Sequence, residues 1–295
     1  MRISDWEGGH ALPEQAASDV RTFGIYRVRD YFERAGIGHL VLHHAGQRWE
    51  GKVRNPAAAT GVRSGTVVEV QFSATLEGPS SICFIRALEP GEYQPSQVMP
   101  TSWCIDGSDP DRLRALIERL ATAAFRHWME AVVDDLALLK RFFQLKASYK
   151  HHHSVPGGLL RHSLETAEIV EKTLRDAPAT CSTLIDDTLR DGLVLAALFH
   201  DFGKTISHAS ASPWLLRKTD HRHLSLVALA MHLPRLAELS VPAHAVFVHS
   251  LIQDALGKGY ASPLPMVDAV RMADRVSTGL WMHAGVTVES GVRGD

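Results

Sequence analysis

Two short stretches hold the residue types that bind metals and handle phosphate. The first, residues 151–162, reads His-His-His-Ser-Val-Pro-Gly-Gly-Leu-Leu-Arg-His. The second is Leu198-Phe199-His200-Asp201-Phe202-Gly203-Lys204. Together they supply imidazoles, a carboxylate and an ammonium group beside glycine turns. His200 and Asp201 close an unusually apolar run, 193–199, that should be buried. An imidazole and a carboxylate carried inside by such a run are costly unless both are paired. Metal coordination satisfies both. The donor pair suits Mn²⁺ first, then Fe, Co²⁺, Ni²⁺ or Zn²⁺, with Mg²⁺ less apt because it prefers oxygen. Lys204 could place positive charge on a phosphate oxygen. The chemistry implied is metal-assisted hydrolysis of a phosphate ester, in which an ion lowers the pKa of a bound water and polarises the phosphorus–oxygen bond. The same residues have plainer readings. Asp201 could cap a helix end, Lys204 could be a solvated helix-end cation, and His162 could be a packed, hydrogen-bonded histidine.

Helices must position these groups. Pro156-Gly157-Gly158 breaks the chain, and a helix is expected over 158–175, with Leu160, Leu164 and Ala167 as its buried stripe and His162 at the margin. Further helices are expected near 184–202, 222–236, 242–256 and 265–283. An earlier one starts at Asp109-Pro110, and an apolar stripe continues through Phe125, Trp128, Met129, Val132, Leu136 and Leu139. His151, His152 and His153 are either an exposed lead-in or a contact to substrate phosphate.

Upstream the pattern changes. Apolar residues alternate over 24–31, 39–43, 48–54, 66–74 and 80–88, between turns containing Gly, Pro or Asn. Such alternation indicates antiparallel strands. Five strands in about 70 residues suit a small closed barrel, which leaves no sheet edge exposed. Arg27, Arg48, Trp49 and Lys52 are candidates for holding a single-stranded nucleic acid by stacking and charge. Core packing of Trp49 and simple solvation of the arginines compete with that reading. The Pro/Gly-rich stretch from Glu89 to Pro100 reads as a connector. The division expected is therefore an irregular lead-in at 1–20, a barrel at 21–95, a linker at 96–108 and a helical domain at 109–295.

Composition narrows the classes. The chain has 295 residues, 45% of them hydrophobic, enough for packed cores. A formal net charge of −2 excludes a uniformly basic nucleic-acid binder. Cys83, Cys104 and Cys181 form neither a CxxC pair nor a disulfide framework, as expected of a cytoplasmic protein. The first residues lack a signal-peptide core, and apolar runs fall far short of the ~20 residues of a membrane span. Of 17 histidines, twelve lie from His151 to His283. Self-association is left open.

His162, His200-Asp201 and the distant Asp274 resemble the H…HD…D pattern of the HD-domain metal-dependent phosphohydrolases. The run His152-His153 to Gly157-Gly158-Leu159-Leu160-Arg161-His162-Ser163-Leu164-Glu165, followed by His200-Asp201-Phe202-Gly203-Lys204, resembles the YhaM-type 3′–5′ exonucleases. Those enzymes join an OB-fold to an HD domain. The HHH-containing run also resembles the HD region of certain conjugative relaxases, although no tyrosine nearer than Tyr149 could serve as a nucleophile. The likeness extends over roughly 23–284 and is strongest at the two motifs.

The resemblance implies an OB-fold-like barrel followed by an all-α HD domain. It implies one or two divalent ions held by His162, His200, Asp201, His223, His249 and Asp274, with Asp201 and Lys204 catalytic. His152, His153 and Lys204 would contact substrate phosphate. His223 is matched within Asp220-His221-Arg222-His223-Leu224-Ser225-Leu226, where only one of His221 and His223 need face the site. His249 is preferred to His244 because five residues put the two about 140° apart on a helix. Ser250 and Ser277 stand where the family has further ligands, which puts a second ion in question. The activity implied is 3′–5′ exonucleolysis of single-stranded DNA or RNA, with the barrel holding the strand. The alternatives are a nucleotidase acting on small nucleotides and a non-catalytic module of a conjugative DNA-processing complex.

Overall fold

The structure, a computed structural model, describes residues 21–44, 47–53, 55–73, 81–148, 153–178, 180, 183–208, 220–256, 264 and 267–289. His152, the lead-in at 1–20 and Tyr149 lie outside the described residues. The chain divides into two compact units, Met1–Ser102 and Trp103–Asp295.

The first unit is a closed five-stranded barrel: β1 (Arg21–Arg34), β2 (Ile37–His44), β3 (Gln47–Val53), β4 (Val67–Ser73) and β5 (Ser81–Ala87), in the order β1-β2-β3-β5-β4. Neighbours are antiparallel except β3 and β5, which run parallel through Lys52–Ser81 and Val53–Ile82. The long β1 closes the barrel. Its first half pairs with β4 and its second with β2, the two pairings meeting at Arg27, and the β2 pairing carries an irregularity between Val28 and Asp30. A bulge of this kind bends a strand enough to serve both neighbours. Tyr26, Val28, Leu40, Leu42, Trp49, Val68, Val70, Phe72 and Ile82 fill the interior. Tyr26 meets Phe72 edge-on at 5.7 Å between ring centroids and Trp49 at 6.3 Å, arrangements that aromatic quadrupoles favour.

The second unit is helical among its described residues. Its helices are α1 (Ser108–Arg119), α2 (Ala123–Asp134), α3 (Leu136–Gln144), α4 (Gly158–Arg175), α5 (Asp187–Phe199), α6 (Lys204–Ser207), α7 (His221–Leu229), α8 (Leu233–Leu239), α9 (Val241–Leu256) and α10 (Asp268–Glu289). The apolar run of α5 lies at the centre: every residue from Leu193 to Phe199 is buried. Trp128 of α2 packs on Phe199 at 5.6 Å and on Phe247 of α9 at 4.9 Å.

Two expected helices are shorter than their patterns. The 184–202 helix starts at the Asp186 cap, whose carboxylate accepts from the Leu189 amide at 2.7 Å, and stops at Phe199. The 222–236 helix is two pieces, because the Pro234 nitrogen carries no proton for a continuing ladder. Among the described residues no helix is long and apolar enough to cross a membrane.

Candidate metal centre

Four side chains from three places in the helical unit converge. His162 stands on the first turns of α4 and is fully buried. The chain enters that helix through Gly157, at φ +80°, and Gly158, where a Cβ would lie 2.1 Å from the His153 carbonyl oxygen. The side-chain-free entry lets His153 pack against the start of the helix. His200 and Asp201 occupy the turn between α5 and α6. The Ser225 hydroxyl of α7 donates to the His200 carbonyl at 2.9 Å and accepts from the Gly203 amide at 2.9 Å, clasping that turn. Asp274 comes from α10.

His162 Nε2 lies 3.5 Å from Asp201 Oδ2 and 3.2 Å from Asp274 Oδ1. His200 Nε2 lies 3.5 and 3.7 Å from the same two oxygens. The two imidazoles meet edge-on at 5.1 Å. One ligand atom each from His162, His200 and Asp201 lies within 4.8 Å of the others, all three residues being buried.

Hydrogen bonding on the far side of each ring decides what the near side offers. His200 Nδ1 is 2.7 Å from the Ala197 carbonyl, which can only accept, so Nδ1 carries the proton. His162 Nδ1 is 3.1 Å from the Ser277 hydroxyl, and that hydroxyl donates to Glu165 Oε2 at 2.9 Å. Ser277 therefore accepts from His162. With the proton on Nδ1, each ring in its neutral form presents a lone pair at Nε2, and both Nε2 atoms face the same two carboxylate oxygens. The Lys204 ammonium offsets part of the repulsion at Asp201 Oδ2, and a divalent cation among the four atoms would offset the rest. Two imidazole nitrogens and two carboxylate oxygens suit a borderline divalent ion.

The charges are set for that role. Burial lowers His162 below its ordinary pKa, against the opposing pull of Asp274, and so favours the neutral imidazole that coordinates. Burial would raise the Asp201 carboxyl, but the His200 ring, the Lys204 ammonium and His221 outweigh it and hold it well below the usual carboxylate range. Burial is likewise outweighed at Asp274 by the neighbouring His162 and His200 rings, which hold its carboxyl below the usual carboxylate range.

Asp201 is the hub. Besides facing both imidazoles, its Oδ2 takes the Lys204 Nζ in a close ion pair, and its Oδ1 lies 2.8 Å from His221 Nε2. The structure therefore revises several expectations. His221 rather than His223 reaches the site, because the Asp220 cap starts α7 so that His221 looks inward and His223 is exposed. Lys204 is buried against Asp201 rather than solvated at a helix end. His153 is only 1% exposed, with Nε2 3.0 Å from Glu165, so it is turned into the interior rather than presented to a substrate phosphate. Ser250 turns its hydroxyl back onto the Val246 carbonyl of its own helix at 2.8 Å. His249 is partly buried on α9 and is not one of the three residues of the buried His162, His200 and Asp201 group.

In the barrel, Arg27 is buried and donates to the Val98 and Gly65 carbonyls at 3.0 and 3.1 Å, and Trp49 belongs to the core. Both serve the interior rather than a bound strand. Arg48 remains outside, ion-paired with Glu50, and Lys52 is partly exposed. Phe32, absent from the expected set, is 52% exposed and stacks on His39 at 5.0 Å with the rings nearly parallel. Register aligns Phe32, His39 and Lys52 across β1, β2 and β3. Strand alternation separates two faces of β1 without telling which is inside, so this row was not legible.

The geometry separates His221 from its neighbour. His221→Ala should weaken divalent-metal binding by roughly tenfold, within the range for residues that orient ligands. His223→Ala should leave it unchanged. Isothermal titration with Mn²⁺ checks the pair, and equal losses would place α7 wrongly.

Residues 100–211 match the family model TraI_2, described as "Putative helicase". The matched stretch contains His162, His200, Asp201 and Lys204, ends before His221 and Asp274, and is under half of the chain. It fits the likeness of the HHH-containing run to conjugative relaxases. No curated protein matches the sequence. Among solved structures, one described as a "putative aspartyl-tRNA synthetase from Leishmania major Friedlin" is similar at 11% identity and a TM-score of 0.22, over 72% of this chain and 52% of that one. The chain spans about half of that structure's length, and a likeness of this size carries no argument.

Proposed function

We propose that the protein is a metal-dependent phosphodiesterase acting on single-stranded nucleic acid. The observation that carries this reading is the pair of Nε2 lone pairs aimed at the two carboxylate oxygens of Asp201 and Asp274. His162, His200, Asp201 and Asp274 would hold a divalent ion, Mn²⁺ being the first candidate. When bound, the ion supplies an acidified water and a Lewis acid for the phosphate. Asp201 anchors the site through its contacts with His221 and Lys204. The Lys204 ammonium, held within the cluster, adds positive charge where a phosphate's negative charge would lie. In the barrel, the Phe32–His39 stack beside Lys52 offers an aromatic face and a cation, the combination that holds single strands with little regard to sequence.

The finer reading is stepwise removal of nucleotides from a 3′ end, in the manner of the YhaM-type enzymes that the motifs resemble. The TraI_2 match is compatible with a second: a non-catalytic module of a conjugative DNA-processing complex, which would bind the strand without cutting it. A digestion of 5′-labelled and 3′-labelled oligonucleotides with Mn²⁺ separates them. Exonucleolysis gives a ladder from the 5′ label and mononucleotide from the 3′ label, whereas a binding module leaves both substrates intact. Cleavage should stop when the metal is removed with EDTA and return on adding Mn²⁺. Hydrolysis of mononucleotides alone would favour a nucleotidase. Phe32→Ala should weaken oligonucleotide binding several-fold, since a stacked base contributes about 1–3 kcal/mol. No cleavage of any of these substrates by metal-loaded protein would sink the enzymatic reading.

A further inference from the structure

The site's nearest polar neighbours form a chain that the ligand set does not include. His153 Nε2 lies 3.0 Å from Glu165 Oε2, Ser277 Oγ donates to the same oxygen at 2.9 Å, and His162 Nδ1 lies 3.1 Å from Ser277 Oγ. The three helpers come from three places: the turn before α4, the second turn of α4, and α10 one turn beyond Asp274. Ser277 and His153 are each 1% exposed. Their hydrogen bonds run in one direction. A carboxylate accepts, so Ser277 spends its only proton on Glu165 and must accept from His162.

His153 is held in this arrangement against its own backbone preference. Its φ is +48°, a left-handed conformation that costs a side-chain-bearing residue about 1 kcal/mol or more and persists only where the surroundings fix it. The surroundings here are the Ala147 amide, which donates to the His153 carbonyl at 3.1 Å, and the bare Gly158, against which that carbonyl lies. The last histidine of the HHH run is thus locked onto Glu165.

We propose that Ser277, Glu165 and His153 are positioning residues that fix His162 with its proton on Nδ1 and its Nε2 lone pair toward the ion. This rests on the proposed metal site. Ser277, which stands where the resembled family has a further ligand, has exchanged ligation for orientation. A hydroxyl linked to a carboxylate can both set the ring's tautomer and raise its basicity, as outer-shell partners of metal-bound imidazoles do. A rotated or wrongly protonated His162 would offer the ion an N–H instead of a lone pair.

The test uses the full chain in two measurements. Long-range ¹H–¹⁵N spectra of the metal-free protein report which ring nitrogen of His162 bears the proton. The expected result is Nδ1 in the natural sequence, a mixed or Nε2-protonated state in Ser277→Ala, and restoration in Ser277→Thr, which keeps the hydroxyl. Titration with Mn²⁺ should show affinity reduced about tenfold to a hundredfold in Ser277→Ala and in Glu165→Gln, with Ser277→Thr close to the natural protein. A merely structural role would lower the melting temperature without moving the tautomer. The proposal is overturned if His162 carries its proton on Nε2 in the natural sequence, or if Ser277→Ala leaves tautomer and affinity unchanged. A natural protein that binds no metal, with the Nδ1 tautomer intact and sensitive to Ser277, would instead refute the metal site while leaving the relay standing.

Discussion

Asp201→Asn should abolish cleavage and, separately, destabilise the helical unit. The carboxylate faces both imidazoles and is the oxygen donor most enclosed by the site. Its loss would remove a charge that the proposed ion needs, and with the ion the acidification of a bound water. The drop in kcat/KM should be on the order of 10³-fold or more. The stability effect has another origin. Lys204 is buried and ion-paired to Asp201. Removing one partner of a buried pair strands the other charge and costs roughly 3–5 kcal/mol, whereas replacing both with groups of similar shape is close to neutral. The double variant Asp201→Asn/Lys204→Met should therefore recover most of the lost stability and none of the activity. Denaturant unfolding and the oligonucleotide assay measure the two effects side by side. Stability that fails to return in the double variant would show that Lys204 is not the charge left behind.

Gly203→Ala should cost the most stability of any single methyl added to the site. Its φ of −60° suits any residue, so the effect is not conformational. A Cβ there would lie 1.8 Å from the His221 carbonyl oxygen and 2.7 Å from the Ser225 amide nitrogen. Both obstacles are backbone, and backbone cannot swing aside as a side chain can. Overpacking costs typically about 1–3 kcal/mol, and this site belongs at the upper end. For a unit of this size that is a fall in melting temperature on the order of 10 °C. The methyl must also push α7 outward, and α7 carries both His221 and the Ser225 clasp, so metal affinity should fall too. Gly279→Ala is the control. Nothing lies within 4 Å of its Cβ position, and alanine in a helix interior should add about 0.5–1 kcal/mol. Differential scanning calorimetry decides the matter, and two equal shifts would contradict the close packing of α7 against the 200–203 turn.

The sequence by itself determined the classes of structure and the polar residues that the interior brings together. Period-two alternation fixed five strands, and closure into a barrel follows from the cost of open edges. The apolar run 193–199 could only be interior, so the His200-Asp201 that ends it had to be an enclosed polar pair needing a partner. His162 followed from its place beside a buried stripe, and Asp274 from the resembled pattern. The outer parts were decided by tertiary structure. Residues two apart on a helix differ by about 200°, and the resembled motif pointed to His223, whereas the packing of α7 on the His200 turn brings His221 to Asp201. Arg27 and Trp49 have the composition of a strand-binding face, but burial depends on which side of the barrel closes inward. The HHH run drew attention as a substrate contact, yet His153 points to Glu165. The partner that gives Ser277 its purpose is 115 positions away in the chain. Local pattern states which groups must be satisfied. Long-range packing states by whom at His162, whose tautomer is set by Ser277 on α10, whereas the bond that sets His200, to the Ala197 carbonyl, is local.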